Sequence, residues 1–222
     1  MTQAPQLFQH SYNSAWLVLA THQSLLPPYL FDLSLEMTAL IDETAPILFL
    51  QMPGQEDEAL APFLSQLSDA LGSDRISSYD VNDVDLKQHQ GGIGGLVLYG
   101  GSPLDWVRAA PKVEWGERSP SSPLIDLVIL VGAPCAAVGQ WMLSAPEPDA
   151  VVPGLGWLPD GIVTPGLDRP GDLPAVRGLI ADEPRSFAIG LPPGGILALG
   201  PSGELEIWSQ VRPGILLGNG WG

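Results

Sequence analysis

The sequence predicts an α/β protein: a three-layer sandwich with a mostly parallel central sheet, closed by a C-terminal β-hairpin. Three observations predict it. Short apolar runs such as "AWLVLA" (Ala15–Ala20) and "PILFLQM" (Pro46–Met52) lack polar alternation, as strands buried on both faces do. Segments of helical spacing separate these runs, the order that builds a parallel sheet covered on both sides. Near the end, "ILALGPSGELEIWS" reads as two short strands about a Pro201-Ser202-Gly203 turn.

Each element follows from its residues. After the first strand, "YLFDLSLEMTALI" has an amphipathic tendency. After the second, Leu60, Phe63, Leu64, Leu67 and Leu71 recur at helical spacing; Glu56, Asp57 and Glu58 suit the first turn and Gly72 the stop. Then come strands at "RISSYDV", "GGLVLYGG" and "LIDLVILVG", the last followed by a helix-like segment beginning near Cys135. "DLPAVRGLIADEP" reads as a helix with Asp172 as N-cap and Pro174 in its first turn. The Gly/Pro-rich segments Pro111–Pro123 and Ala145–Gly171 read as long surface loops near strand carboxyl ends, where open α/β sheets bind ligands.

At 222 residues and 45% hydrophobic, the chain can bury a core as one domain over 1–222, with 1–14 as an N-terminal tail. The net charge is −16 and the nine Lys and Arg form no stripe, which argues against binding a nucleic acid backbone. No secretory signal or membrane span is visible, so a cytoplasmic location is expected, with no membrane partner. One cysteine excludes an internal disulfide framework, and no spaced ligand cluster suggests a metal or cofactor.

Two motifs carry chemistry. In "LVLYGGSPLDW", Gly100 and Gly101 follow a strand, where they either offer N–H groups to a ligand or make a tight turn. In "VGAPCAAVG", an apolar strand ends at Gly132 and a helix starts near Cys135, with small neighbours Ala133, Ala136 and Ala137. That is the pattern of a nucleophile elbow. Cys135 is then either a nucleophile or a buried, inert thiol. The histidines are His10, His22 and His89, and an exposed histidine in a loop or tail needs no catalytic role. His22, just after the first strand, is the one placed to reach the elbow. "GGIGG" precedes its strand and so is no phosphate loop.

Taken together, "GGLVLYGGSPLDWVRA", "LVILVGAPCAAVG" and the run from "VPGLGWLPDGIVTPGLDRPGD" to "AIGLPPGGILALGPSGELEIW" resemble the S51 peptidase family. That family comprises aspartyl dipeptidase and cyanophycinase, with a class I glutamine amidotransferase-like fold. The resemblance runs in order from about Ala15 to the C-terminus. It implies a serine hydrolase with a Ser, His and acidic set acting on peptides with acidic residues. Carried over, the serine of the G-T-S-A-G-A elbow falls on Pro134 or Cys135. The histidine falls on Gly166, the later glutamate on Pro192 or Pro193, and the acidic residue on Asp149. Glycine and proline transfer no protons, so peptidase activity does not carry over.

Two functions follow. The first is a non-catalytic homologue that binds a small molecule or protein through a cleft at Gly100, Gly101, Pro134, Ala136 and Gly166. Trp106, Trp115, Trp141 and Trp157 are then either cleft walls or packing residues. The second is a cysteine hydrolase or acyl-transfer enzyme acting on peptides or amides. It has Cys135 as nucleophile, His22 as base and N–H groups near Gly101 or Ala136 as the oxyanion hole. Apolar edges also allow a homodimer.

Overall fold

A seven-stranded sheet forms the centre of the structure, a computed structural model that describes residues 8, 10, 15–26, 29–53, 60–88, 92–113, 124–144 and 150–221. Its strands are β1 (Trp16–Ala20), β2 (Ile47–Gln51), β3 (Ile76–Asp80), β4 (Ile93–Tyr99), β5 (Ile125–Val131), β10 (Ile196–Leu199) and β11 (Leu205–Ile207). The order is β11-β10-β1-β5-β4-β2-β3. Strands β1 to β5 are parallel, while β10 and β11 add the expected antiparallel hairpin. The central strands β1, β4 and β5 are almost wholly buried, the cause of their unbroken apolar sequences.

Helices α1 (Tyr29–Leu40) and α2 (Leu60–Leu71) cover one face. Leu30, Leu33 and Met37 of α1 and Phe63, Leu67 and Leu71 of α2 pack there with Val18, Phe49, Val97 and Ile129 of the sheet. Gly72 stops α2 as the sequence predicts: it takes φ +95° and its N–H donates to the Ser68 carbonyl at 2.9 Å. The residues Glu56 to Glu58, read as the first turn of α2, lie outside the described residues.

The opposite face holds α3 (Pro103–Val113), α4 (Ala133–Ala137) and a second sheet of β6 (Gly139–Leu143), β7 (Val151–Pro153), β8 (Leu158–Pro165), β9 (Phe187–Leu191) and β12 (Gly214–Leu217). Leu158, Val163, Phe187, Ile189 and Leu191 of this sheet share one buried cluster with Leu17, Leu19, Leu96, Leu98 and Leu130 of the first. Helix α5 (Pro174–Asp182) covers its far side through Val176, against Ile162 and Ala188.

Two sequence expectations are corrected here. The helix expected near Cys135 is α4, which ends at Ala137, and Gly139–Leu143 beyond it is a strand that pairs with β7 and β8. The described part of Ala145–Gly171 holds β7 and β8 in place of a long loop. Pairing across the chain decided both, and local composition does not report it. Asp172 is not the cap of α5: it closes a short turn at Pro170–Asp172, and Leu173 holds the cap position without a side-chain bond.

Candidate functional site at the strand carboxyl ends

The elbow is built from β5 and α4, and its apex is Gly132. This residue takes φ +68° and ψ −110°, a backbone state that L side chains rarely adopt. A strained strand-to-helix turn is where an elbow lifts its nucleophile out of the sheet. A Cβ built at Gly132 would meet nothing within 4 Å, so the position faces open space. The elbow is present, but the residue at its apex has no side chain.

Cys135 lies three positions further on, within α4, and is fully buried. Burial pushes its thiol well above the ordinary thiol range, and a backbone hydrogen bond at Ala20 opposes this only in part. A thiolate is the reactive form, and this environment suppresses it. Pro134 is buried too, whereas Ala136 is half-buried and its N–H donates to the Gly132 carbonyl at 3.1 Å. That N–H serves the helix turn, not an oxyanion.

His22 does reach the carboxyl edge. Its Nδ1 lies 3.1 Å from the Tyr99 hydroxyl, joining the ends of β1 and β4 across the end of β5 between them. Tyr99, however, packs in the cluster under α1 and α2, while Cys135 packs in the cluster on the other face of the sheet. The structure therefore does not bring the proposed thiol and base together. His89, Asp149 and Trp115 lie outside the described residues.

The second sheet is tied to the same edge by a chain of hydrogen bonds. The Gly132 N–H donates to the Ala20 carbonyl at 2.9 Å. On the next residue, Thr21, the hydroxyl accepts from the Gly194 N–H at 2.9 Å and its N–H donates to the Gly195 carbonyl at 3.3 Å. Ser24 adds a bond from its hydroxyl to the same carbonyl at 3.1 Å. Gly166, at the end of β8 with φ +87°, donates to the Leu191 carbonyl at 2.7 Å and has open space where a side chain would stand. Gly132, Gly166 and the Pro192-Pro193 turn thus lie along one connected edge.

Beside the elbow, Gly100 and Gly101 both take positive φ, at +78° and +70°. The Gly100 carbonyl accepts the Trp106 indole N–H at 2.7 Å, and a Cβ at Gly101 would collide with Met52. The pair therefore makes a tight turn that glycine alone permits. It also borders a cavity of about 320 Å³ lined by Met52, Pro53, Asn82, Gly101, Asp105 and Arg108, with Ala109. Sequence reasoning missed Asn82, Asp105 and Arg108, because only the sheet order sets β2, β3 and β4 side by side. Trp106 and Trp157 are buried, and Trp141 packs in the cluster under α5, so these three serve packing.

No protein-family model and no curated protein matches the chain. Solved structures do. One is a peptidase from an acI-B1 Actinobacterium, at 15% identity and TM-score 0.54, covering 94% of this chain and 96% of that one. Another is a protein provisionally assigned as peptidase E from Listeria monocytogenes EGD-e, at 10% identity and TM-score 0.58, covering 89% and 99%. These likenesses agree with the S51 resemblance read from the motifs and extend over nearly the whole of both chains. The chain carries the mixed α/β fold of peptidase E-type proteins.

Proposed function

We propose that this chain is a non-catalytic homologue of S51-type peptidases that binds a small ligand or protein partner along the carboxyl edge of its central sheet. One observation carries the reading: the apex of the elbow is Gly132, which offers no nucleophile. The site otherwise keeps what binding needs, an open edge beside a cavity in which Asn82, Asp105 and Arg108 supply polar contacts. The cluster shared by both sheets supports treating 1–222 as one domain. No helix among the described residues is long and apolar enough to cross a membrane, and the unpaired thiol suits the cytoplasm we assign.

Two assays on the same preparation test it. Incubation with dipeptides bearing N-terminal aspartate is expected to release no amino acid above background, in the native protein and in Cys135→Ala alike. Turnover that disappears in Cys135→Ala would establish the cysteine hydrolase instead. Amide NMR titration with dipeptides, amino acids and small dicarboxylates is expected to shift Gly101, Asn82 and Arg108 with one of these classes. Shifts in none of these amides with any class would reject small-molecule binding at this edge.

A further inference from the structure

Helix α1 buries one stripe and leaves a second apolar stripe outside. Leu30, Leu33, Met37 and then Ile41 face the sheet. On the outer side Phe31 is 71% exposed and Leu35, one turn later, 57% exposed, with Leu26 before the helix at 40%. Thr38 and Ala39 continue this exposed ridge with small side chains. Large apolar side chains set one turn apart on a solvent-facing helix form a patch of the kind that marks interaction surfaces.

The charged residues on the helix and just past its end are all negative. Asp32 and Glu36 run beside it, also one turn apart, and Asp42 and Glu43 stand exposed just past the helix end. No Lys or Arg occurs in residues 1–74, against nine Asp and Glu. The first cation, Arg75, is committed to backbone: its guanidinium donates to the carbonyls of Leu71, Asp42 and Ala45. This charge pattern selects the occupant. A second copy, paired ridge to ridge, would set Asp32 and Glu36 against their own counterparts, and the chain as a whole carries −16. An anionic lipid surface is repelled for the same reason. The N-terminal residues Phe8 and His10 are engaged on the other side of the sheet, near Phe187 and Leu199, and so do not cover the ridge.

We propose that the outer face of α1 docks a cationic amphipathic protein segment. Its apolar side chains would cover Phe31 and Leu35, and its Lys or Arg would pair with Asp32 and Glu36. The occupant is of the helix-in-groove or helix-on-helix type, read by apolar anchors one turn apart. The proposal is independent of the ligand edge, which lies at the strand ends.

The probe is a fluorescent, amidated Leu/Lys peptide with leucines at helical spacing. Its control has the same composition in an order that forms no apolar face. By fluorescence anisotropy the amphipathic peptide is expected to bind saturably, and the control about tenfold more weakly. Phe31→Ser/Leu35→Ser is expected to weaken the amphipathic peptide about tenfold, and Asp32→Asn/Glu36→Gln about fivefold. All four side chains face outward or sit at the rim, and an unchanged melting temperature verifies that each variant is folded. Equal binding of both peptides, or no loss in Phe31→Ser/Leu35→Ser, would overturn the proposal by reducing the interaction to bulk charge. So would a concentration-dependent dimer of the native protein, seen by sedimentation and abolished in Phe31→Ser/Leu35→Ser, since a second copy would then be the occupant.

Discussion

The N–H of Gly132 donates to the carbonyl of Ala20 at 2.9 Å, which extends the β1–β5 ladder one step past the last strand residue and holds the elbow apex in place. Because the apex is pinned at φ +68°, any residue other than glycine there carries backbone strain, although it has room for a side chain. Gly132→Ser is expected to fold and to lose about 1–2 kcal/mol of stability. Urea denaturation measures that loss. The variant is also expected to remain without peptidase activity, since Gly166 supplies no imidazole.

The thiol of Cys135 should behave as core. Iodoacetamide is expected to modify the native protein on the order of 100-fold more slowly than the urea-unfolded chain, with no acceleration near neutral pH. Mass spectrometry reads this directly, because every adduct reports on the one cysteine. Cys135→Ala should cost about 1–2 kcal/mol through the small cavity it leaves. Rapid labelling of the native protein would refute the buried assignment.

Gly139 and Gly161 let β6 and β8 approach each other at the irregular step between Gly139 and Trp141. A Cβ at Gly139 would strike the Gly161 and Trp141 carbonyls, and one at Gly161 would come within 2.9 Å of Leu158 and Phe187. Gly139→Ala should destabilise by about 1–3 kcal/mol or more, since the obstacle is backbone. Gly161→Ala, which meets side chains that can shift, should cost less. The ranking of the two melting temperatures checks this.

His10 should make stability depend on pH. Burial holds its imidazole below the ordinary histidine range, with the Leu199 and Gly200 carbonyls and the Glu204 carboxylate pulling the other way. Among the described residues, neither ring nitrogen reaches hydrogen-bond geometry with a partner. The folded state thus binds this proton less readily than the unfolded chain, so stability is complete above about pH 6.5 and falls as pH drops below it. Melting temperatures from pH 7.5 to 5.5 should decline in the native protein, and the decline should be shallower in His10→Leu.

Ser102 and Asp105 cap α3 reciprocally. The Ser102 N–H and hydroxyl both donate to Asp105 Oδ2, at 3.0 and 2.7 Å, and the Asp105 N–H donates back to the hydroxyl at 3.3 Å. Ser102→Ala should cost about 1 kcal/mol. These bonds hold the Asp105 carboxyl below its ordinary range, so its contribution is present at neutral pH and is lost as pH falls below about 4. Denaturation of native protein and variant at pH 7 and pH 3 should show the difference shrinking in acid.

The central sheet was legible in the sequence because burial on both faces writes an unbroken apolar run, as in Leu17–Ala20 and Leu127–Val131. The C-terminal hairpin was legible from its turn, where Gly203 takes φ +89°. The strand-to-helix turn was visible too, because small residues crowd it. Which residue stands at its apex was not: motif alignment pointed to Pro134 or Cys135, and only backbone geometry identifies Gly132. The second sheet escaped notice because β6 and β7 are short, β8 is interrupted by Gly and Pro, and all three are stabilised by pairing with other strands. Local residues determined the strands and turns through burial and backbone freedom. The tertiary structure decided the register of the elbow, the opposite placement of Cys135 and His22, and the cavity beside Gly101, because each depends on which strands pair.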